Sequence, residues 1–258
     1  MITIDKRAKD PKPIITIEFG RFTLLIVGLP FSSFMFCVFC SVFFYFKEST
    51  YTHCEVSNYL PSISAAIGRY QPQRFVWQLA ICLHFLPRLY IAKMYVEYYK
   101  ETIKDDYMAM AHFACFLNVF ENFALVGLSL WTSNQNYKLH KICFLVFIAT
   151  SEIYMLISYF LNDEGKRIKR LNTQEHLSRQ TKGNLFIVNL IAFVLAAYCF
   201  RRHNDYCEPG VYTLFALFEY TVVLINMGYH MTAYWDFYGR TLTFDWKNGL
   251  ACTRSKIS

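Results

Sequence analysis

Long uncharged apolar segments limit what this chain can fold into more than any other feature does. From Phe22 to Phe46 the sequence runs 25 residues without Asp, Glu, Lys or Arg. A helix of about 20 residues, rising 1.5 Å per residue, crosses the hydrocarbon core of a bilayer. The apolar residues come in blocks rather than in alternation, so spanning helices fit better than a barrel. We therefore expect an all-α polytopic membrane protein.

Five further apolar blocks predict a bundle of six transmembrane helices. The second block is the least regular, because His84, Pro87 and Arg88 interrupt it. The expected domains are a cytosolic N-terminal segment, a six-span membrane domain and a cytosolic tail: 1–21, 22–237 and 238–258. Within the membrane domain, the first five predicted spans are 22–46, 73–98, 108–131, 139–161 and 183–200, and the sixth begins at Pro209.

Charges between the blocks predict the orientation. The segments expected on one side of the membrane contain 17 Lys and Arg residues, and the alternate loops contain 5. Because cytoplasmic loops are enriched in Lys and Arg, both termini are predicted to lie in the cytosol. Membrane topology thus accounts for the net charge of +7, and we expect no binding to nucleic acid.

Two cysteines, Cys54 and Cys207, fall in loops predicted to be lumenal, whereas six of the nine lie within spans. An oxidising lumen permits this pair to form a disulfide that ties the first loop to the fifth. Two free thiols are the alternative.

Polar residues within the spans form a first candidate site. Glu219, Asn226 and His230 lie at helical offsets of 7 and 11, which place them on one face of the sixth helix. A carboxylate in hydrocarbon is unfavourable, so such residues face the bundle interior or a wet cavity. They either hold helices together or line a ligand site. The predicted intramembrane core is His84, Arg88, Glu121, Asn122, Glu219, Asn226 and His230.

A second candidate site lies in the predicted lumenal loops. There, a histidine is expected to act as general base toward a hydroxyl, with an aspartate orienting it, and arginines are expected to bind phosphate. The alternatives are arginines that reach lipid headgroups and solvated histidines. The catalytic candidates are His203, His53 and Asp205, and the substrate-binding candidates are Arg201, Arg202, Asn58, Tyr59 and Tyr206.

Common catalytic and cofactor motifs are missing from the sequence. It contains no P-loop, no G-x-S-x-G elbow, no H-E-x-x-H and no paired C-x-x-C zinc pattern. We therefore expect neither a cofactor nor a metal site.

Five segments of the sequence carry a family likeness: HCEVSNYLPSISAAIG (53–68), PQRFVW (72–77), LNVFENFAL (117–125), FIATS (147–151) and Arg202 to Phe237. They resemble the post-GPI-attachment to proteins factor two family, within the Frag/DRAM/Sfk group of six-span membrane proteins. The resemblance implies a Golgi membrane protein that remodels the fatty acids of GPI anchors, at the step where lyso-GPI regains a saturated chain. It implies lyso-GPI and GPI-anchored proteins as partners, and it names neither the acyl donor nor catalytic residues.

Three functions are consistent with these observations. The first is an acyltransferase that acts on lyso-GPI in the lumenal leaflet, favoured by histidines beside a polar, lipid-accessible interior. The second is a non-enzymatic partner that presents lipid to, or stabilises, a separate enzyme; the absence of an acyltransferase motif favours it. The third, a proton-coupled transporter, is supported by the intramembrane carboxylates alone.

Overall fold

A computed structural model describes residues 14–168, 172–246 and 249–254. Within these ranges, six helices are long and apolar enough to cross a membrane. The prediction of an all-α six-span bundle is confirmed. The long helices are α1 (Phe19–Phe44), α4 (Gln73–Thr102), α5 (Met108–Leu130), α6 (Tyr137–Asp163), α7 (Thr173–Tyr206) and α8 (Val211–Met231); the short helices are α2 (Phe46–Thr50), α3 (Ile63–Gly68) and α9 (Ala233–Asp236).

Helix α7 extends well beyond the predicted span 183–200. It begins at a capping box, in which the Asn172 side chain accepts from the Glu175 amide and the Glu175 carboxylate accepts from the Asn172 amide. It continues through Tyr206 and ends at Cys207, whose φ is 51°. The segment Arg201–Tyr206 is therefore the end of a helix and not a loop. The capping residues set where α7 begins and ends, and a hydropathy pattern does not detect such residues.

The segment between α1 and α4, predicted as a polar loop, partly re-enters the bundle. Its short helix α3 packs against α1, α4 and α8 and buries Ile63, Ala66 and Ile67. The Tyr220 hydroxyl donates to the carbonyl of Pro61 at 2.8 Å, which fixes the segment against α8. The prediction failed here because a run of six residues is too short to be recognised as a buried helix.

The terminal segments form a small sheet that the sequence analysis did not predict. Strand β1 (Ile15–Glu18) pairs antiparallel with β2 (Arg240–Asp245), which pairs antiparallel with β3 (Gly249–Arg254). Ile15 lies opposite Phe244 in the first ladder, and Asp245 opposite Gly249 in the second. Both terminal segments thus lie at one end of the bundle, the sheet end, as an even number of spans requires.

A buried ion pair fixes α7 to the end of the sixth span. Lys182 lies one position before the predicted fifth span, and Asp236 lies at the end of the predicted membrane domain; the two form an ion pair with side chains 1% exposed. Asp236 also accepts from Tyr95 at 2.8 Å and from Ser178 at 2.6 Å. For Lys182 this corrects the predicted start of the fifth span, because α7 already begins at Thr173. Each charge is buried because its partner neutralises it.

Candidate functional site

Arg88, Glu121 and His230 form the centre of the predicted intramembrane core. Arg88 Nη2 donates to Asn118 Oδ1 at 3.0 Å. Glu121 Oε1 lies 2.8 Å from His230 Nε2 and accepts from Asn226 at 2.9 Å. All five side chains are buried. The opposite charges of Arg88 and Glu121 therefore share one hydrogen-bonded cluster, in which Asn226 and His230 join Glu121 to α8.

One proton in this cluster has two available positions. His230 Nε2 lies 3.0 Å from Arg88 Nη2, a donor, and 2.8 Å from Glu121 Oε1. With the proton on Nε2, His230 donates to Glu121. With the proton on Glu121, the single lone pair of Nε2 accepts from Glu121 or from Arg88. The pair can thus exchange a proton without a change in the charge of the whole cluster.

The remaining predicted core residues bind backbone groups. Glu219 Oε2 accepts from the amide of Ile63 at 2.9 Å and so holds α3. His84 Nδ1 lies 2.7 Å from the carbonyl of Ile26. Asn122 Nδ2 lies 3.5 Å from the carbonyl of Phe85, at the limit of a hydrogen bond. The sixth-helix face predicted from the spacing is present, but Glu219 serves a different neighbour from Asn226 and His230.

A cavity of about 420 Å³ extends along these residues inside the bundle. Its volume lies in the range of small-molecule pockets. Most of its walls are apolar, with side chains from α1, α3 and the five helices α4 to α8. The predicted core residues that line it are His84, Arg88, Glu121, Asn122, Glu219, Asn226 and His230.

The residues that both line the cavity and are exposed all belong to α6 and α7, so we place its opening between these two helices. Nearer the sheet end, Asn189 of α7 donates to Glu152 of α6 at 2.7 Å and joins the two helices. Toward the opposite end of the bundle, where α6 begins and α7 ends, the side chains of these helices that line the cavity are exposed. The exposed lining residues are Tyr137, Lys141, Leu145, Ala197 and Phe200. An opening between apolar helix faces is accessible from the hydrocarbon of a bilayer.

The first turn of α6 supplies polar residues to the mouth of the cavity, which we call the rim: Tyr137, His140 and Lys141. His140 Nδ1 lies 2.8 Å from the carbonyl of Trp131. Lys141 has no ion-pair or hydrogen-bond partner among the residues that the structure describes. The sequence analysis missed all three. The available signal was Lys141, a cation inside a predicted span.

A disulfide joins Cys54 to Cys207, with the Cα atoms 5.3 Å apart. It connects the first loop to the end of α7, so we call this end of the bundle the disulfide end. The rings of His53 and His203 lie 5.7 Å apart beside it. The structure therefore brings the two predicted catalytic histidines together, as a link between these loops requires.

His203 is enclosed by protein. It is 0% exposed, and its Nε2 lies 3.2 Å from the hydroxyl of Thr52. Its ring packs against Tyr212 at 4.9 Å between centroids. Its Nδ1 has no hydrogen-bond partner among the described residues. Neither His203 nor His53 is among the residues that line the cavity.

Carboxylates already pair the two predicted phosphate-binding arginines. Arg202 binds both oxygens of Glu208, at 2.5 and 2.8 Å, and these hydrogen bonds lower the pKa of Glu208. Arg201 lies 3.4 Å from Asp205. In the part of the chain that the structure describes, Asp205 therefore contacts an arginine and not a histidine.

The other predicted binding residues are scattered. Asn58 is buried and donates to the carbonyl of Val56 at 3.1 Å. Tyr59 is 68% exposed and Tyr206 is 72% exposed. Side chains this open make no enclosed pocket by themselves.

Six membrane-spanning helices around a mostly apolar cavity define the class of polytopic integral membrane proteins. Residues 18–240 match the Frag1/DRAM/Sfk1/Cwh43P N-terminal domain model, and the chain belongs to this family. It is 52% identical to "Post-GPI attachment to proteins factor 2" of Drosophila melanogaster, over 99% of this chain and 100% of the relative.

Two other relatives extend this range. "Acyltransferase PGAP2" of Xenopus tropicalis is 42% identical, over 89% of this chain and 91% of the relative. "Protein cwh43" of Schizosaccharomyces pombe is 24% identical, over 78% of this chain but only 20% of the relative. No solved structure matches this chain.

Proposed function

We propose that this protein remodels the lipid of GPI anchors by returning a saturated acyl chain to a lyso-GPI intermediate. The observation that carries the proposal is the cavity, whose apolar walls, lateral opening and polar rim suit a lipid with one chain and a polar headgroup. The printed names of the relatives, which refer to GPI attachment and to an acyltransferase, support it.

The proposed location is the Golgi membrane, with both termini in the cytosol and the disulfide end in the lumen. The excess of Lys and Arg in the segments at the sheet end supports this orientation. A disulfide at the other end supports it as well, because disulfides persist in oxidising compartments. The rim of the cavity then faces the lumenal leaflet, where lyso-GPI would enter sideways from the bilayer.

A purified-protein assay tests the proposal. The full chain in lipid nanodiscs is incubated with lyso-GPI and a saturated acyl donor, either an acyl thioester or a phosphatidylcholine. We expect a diacyl GPI product that depends on the protein. If lyso-GPI binds and neither donor yields product, the protein presents lipid to a separate enzyme and is not itself the acyltransferase.

A glycosylation scan tests the orientation. An acceptor site inserted near Ser62 should be modified, and one inserted in the 162–182 segment should not be. Modification of the second site alone would reverse the proposed topology.

A further inference from the structure

Neither predicted site shows where the lipid hydroxyl that receives the acyl chain would lie. Along α6, about 21 Å of helix rise separates His140 at the rim from Tyr154, and Tyr154 stacks on His230 with ring centroids 5.5 Å apart. The cluster of Arg88, Glu121 and His230 is therefore the floor of the cavity. A lipid whose headgroup stays at the rim would bring only the distant part of its chain near this floor.

The rim contains a histidine whose tautomer the backbone determines. His140 Nδ1 lies 2.8 Å from the carbonyl of Trp131. A carbonyl oxygen can only accept, so Nδ1 carries a proton, and in the neutral ring Nε2 is the nitrogen with the lone pair. His140 also lines the cavity and is only half-buried. Its Nε2 is thus a base that an incoming hydroxyl can reach, in contrast to His203.

The rim also contains a free cation. Lys141 is exposed, lines the cavity and has no carboxylate partner among the described residues. Arg201 and Arg202 at the same end are each paired with an acidic residue. An unpaired ammonium beside an apolar cavity favours a ligand with an anionic head and an apolar tail.

We infer that the rim is a lysophospholipid site, in which Lys141 binds the phosphate and His140 is the general base for the neighbouring glycerol hydroxyl. The single chain lies in the cavity and points toward Arg88 and Glu121. This inference rests on the proposed function, since it identifies the residues of the same cavity that bind and activate lyso-GPI. The phosphate and the hydroxyl are carried by neighbouring glycerol carbons, and both His140 and Lys141 line the mouth of the cavity.

The reaction balances with an acyl ester or thioester as donor. His140 Nε2 accepts the hydroxyl proton while the hydroxyl oxygen bonds to the donor's carbonyl carbon. The tetrahedral intermediate expels an alcohol or a thiol, which takes the proton back from His140. One ester or thioester bond is broken and one ester bond is formed, with no net change in protons or electrons.

Two variants with matched controls test the inference in full-length protein in nanodiscs. His140→Asn keeps an amide that can donate to the Trp131 carbonyl but removes the base. His112→Asn, on an exposed position of α5, is its control. Lys141→Met removes the phosphate partner, and Lys138→Met, exposed in the same turn of α6, is its control. The binding probe is lysophosphatidylinositol, and glycerophosphoinositol tests whether the chain is needed.

We expect His140→Asn to lower turnover roughly 10²- to 10⁴-fold, the usual contribution of a general base, with probe affinity unchanged. Lys141→Met should weaken probe binding roughly tenfold, the size of one charge-assisted hydrogen bond. Both controls should match the wild type, and glycerophosphoinositol should bind far more weakly than the probe, because it lacks the chain.

The outcomes separate this inference from the proposed function. If the wild type makes product and both rim variants do so equally well, the rim inference is overturned and the function stands. If Lys141→Met alone weakens probe binding but no donor gives product with the wild type, the lysophospholipid site stands while His140 as base and the acyltransferase function fall. Equal weakening by Lys138→Met would reduce the effect to general surface charge and overturn the site.

Discussion

The disulfide-end cluster around His203 and the cavity contain similar residue types. The two regions differ in whether these polar side chains are paired with one another or left available. In the cluster, Arg202 is held by Glu208 and His203 is enclosed by Thr52 and Tyr212. In the cavity, Lys141 is unpaired among the described residues. Polar side chains that satisfy one another stabilise a fold, whereas those left open toward a cavity can bind a ligand. We therefore expect the first region to stabilise the fold and, under the proposed function, the second to bind lipid.

Within the cavity, paired side chains and available side chains lie at different depths. At its floor, Arg88 and Glu121 are buried and share hydrogen bonds through neighbouring side chains. At its rim, His140 uses one ring nitrogen and leaves the other available. Disturbing the floor should therefore affect folding first, and disturbing the rim should affect function first.

The largest expected effect on stability is at the floor. Arg88→Met leaves Glu121 as an uncompensated buried charge, which destabilises by about 3–5 kcal/mol. We expect a large loss of folded protein, measured by thermal unfolding in detergent. The double variant Arg88→Met/Glu121→Gln removes both charges and should recover much of that loss. A double variant no more stable than the single one would show that the charges are not coupled.

The next effect tests whether the disulfide-end cluster is structural. Cys54→Ser removes the link to Cys207, and loss of a native disulfide destabilises small domains by about 2–5 kcal/mol. We expect a lower unfolding temperature with unchanged turnover per folded molecule. Cys82→Ser, at an exposed free cysteine, is the control. A loss of turnover without loss of stability would place the reacting group in the cluster after all.

His203 is the residue on which the two regions make opposite predictions. If His203 is the base, as proposed from the sequence, His203→Ala abolishes remodelling while the protein level stays near normal. From its burial we expect the reverse. The loss of a buried hydrogen bond to Thr52 should destabilise by about 1–3 kcal/mol, and turnover should persist. Saturated-chain content of GPI anchors, normalised to the abundance of each variant in cells lacking the native protein, decides between them.

Sequence reasoning found the spans and most of the cavity floor because both depend on local patterns. Apolar runs mark helices, and the offsets of 7 and 11 correctly place Asn226 and His230 together on α8. Helix periodicity gives a face but does not say which helix packs against it. For this reason it could not show that Glu219 binds the amide of Ile63 while Asn226 binds Glu121.

The features that were missed depend on contacts between distant segments. The pairing of Ile15 with Phe244 joins two short alternating segments, ITIE and RTLTFD, that lie near opposite ends of the chain, so no local pattern shows that they pair. The re-entry of α3 requires α8 to bind it. One missed feature is local instead: whether Arg202 is free to bind phosphate depends on Glu208, six positions along the chain, and composition alone does not assign that pairing.

The smallest expected effect concerns the pair of Arg202 and Glu208 and appears in the pH dependence of stability. Hydrogen bonds from Arg202 lower the pKa of Glu208 in the folded protein. A carboxyl group with a lowered folded pKa stabilises the fold above its unfolded pKa of about 4.3, and this contribution disappears as the pH falls through the folded pKa. Both side chains are accessible to solvent, so the change should be slight and should weaken with salt. Glu208→Gln should therefore make the unfolding temperature slightly less dependent on pH in the acid range, with Asp205→Asn as the comparison.

The same variant separates the two regions by ligand binding. Glu208→Gln releases Arg202 from its carboxylate partner. If Arg202 can bind phosphate once Glu208 no longer pairs with it, the variant should bind lysophosphatidylinositol more tightly than the wild type. If the pair only closes the end of α7, affinity should stay the same, while Lys141→Met still weakens it. We expect the second result, because an arginine that binds both oxygens of a neighbouring carboxylate lies outside the cavity that would hold the lipid chain.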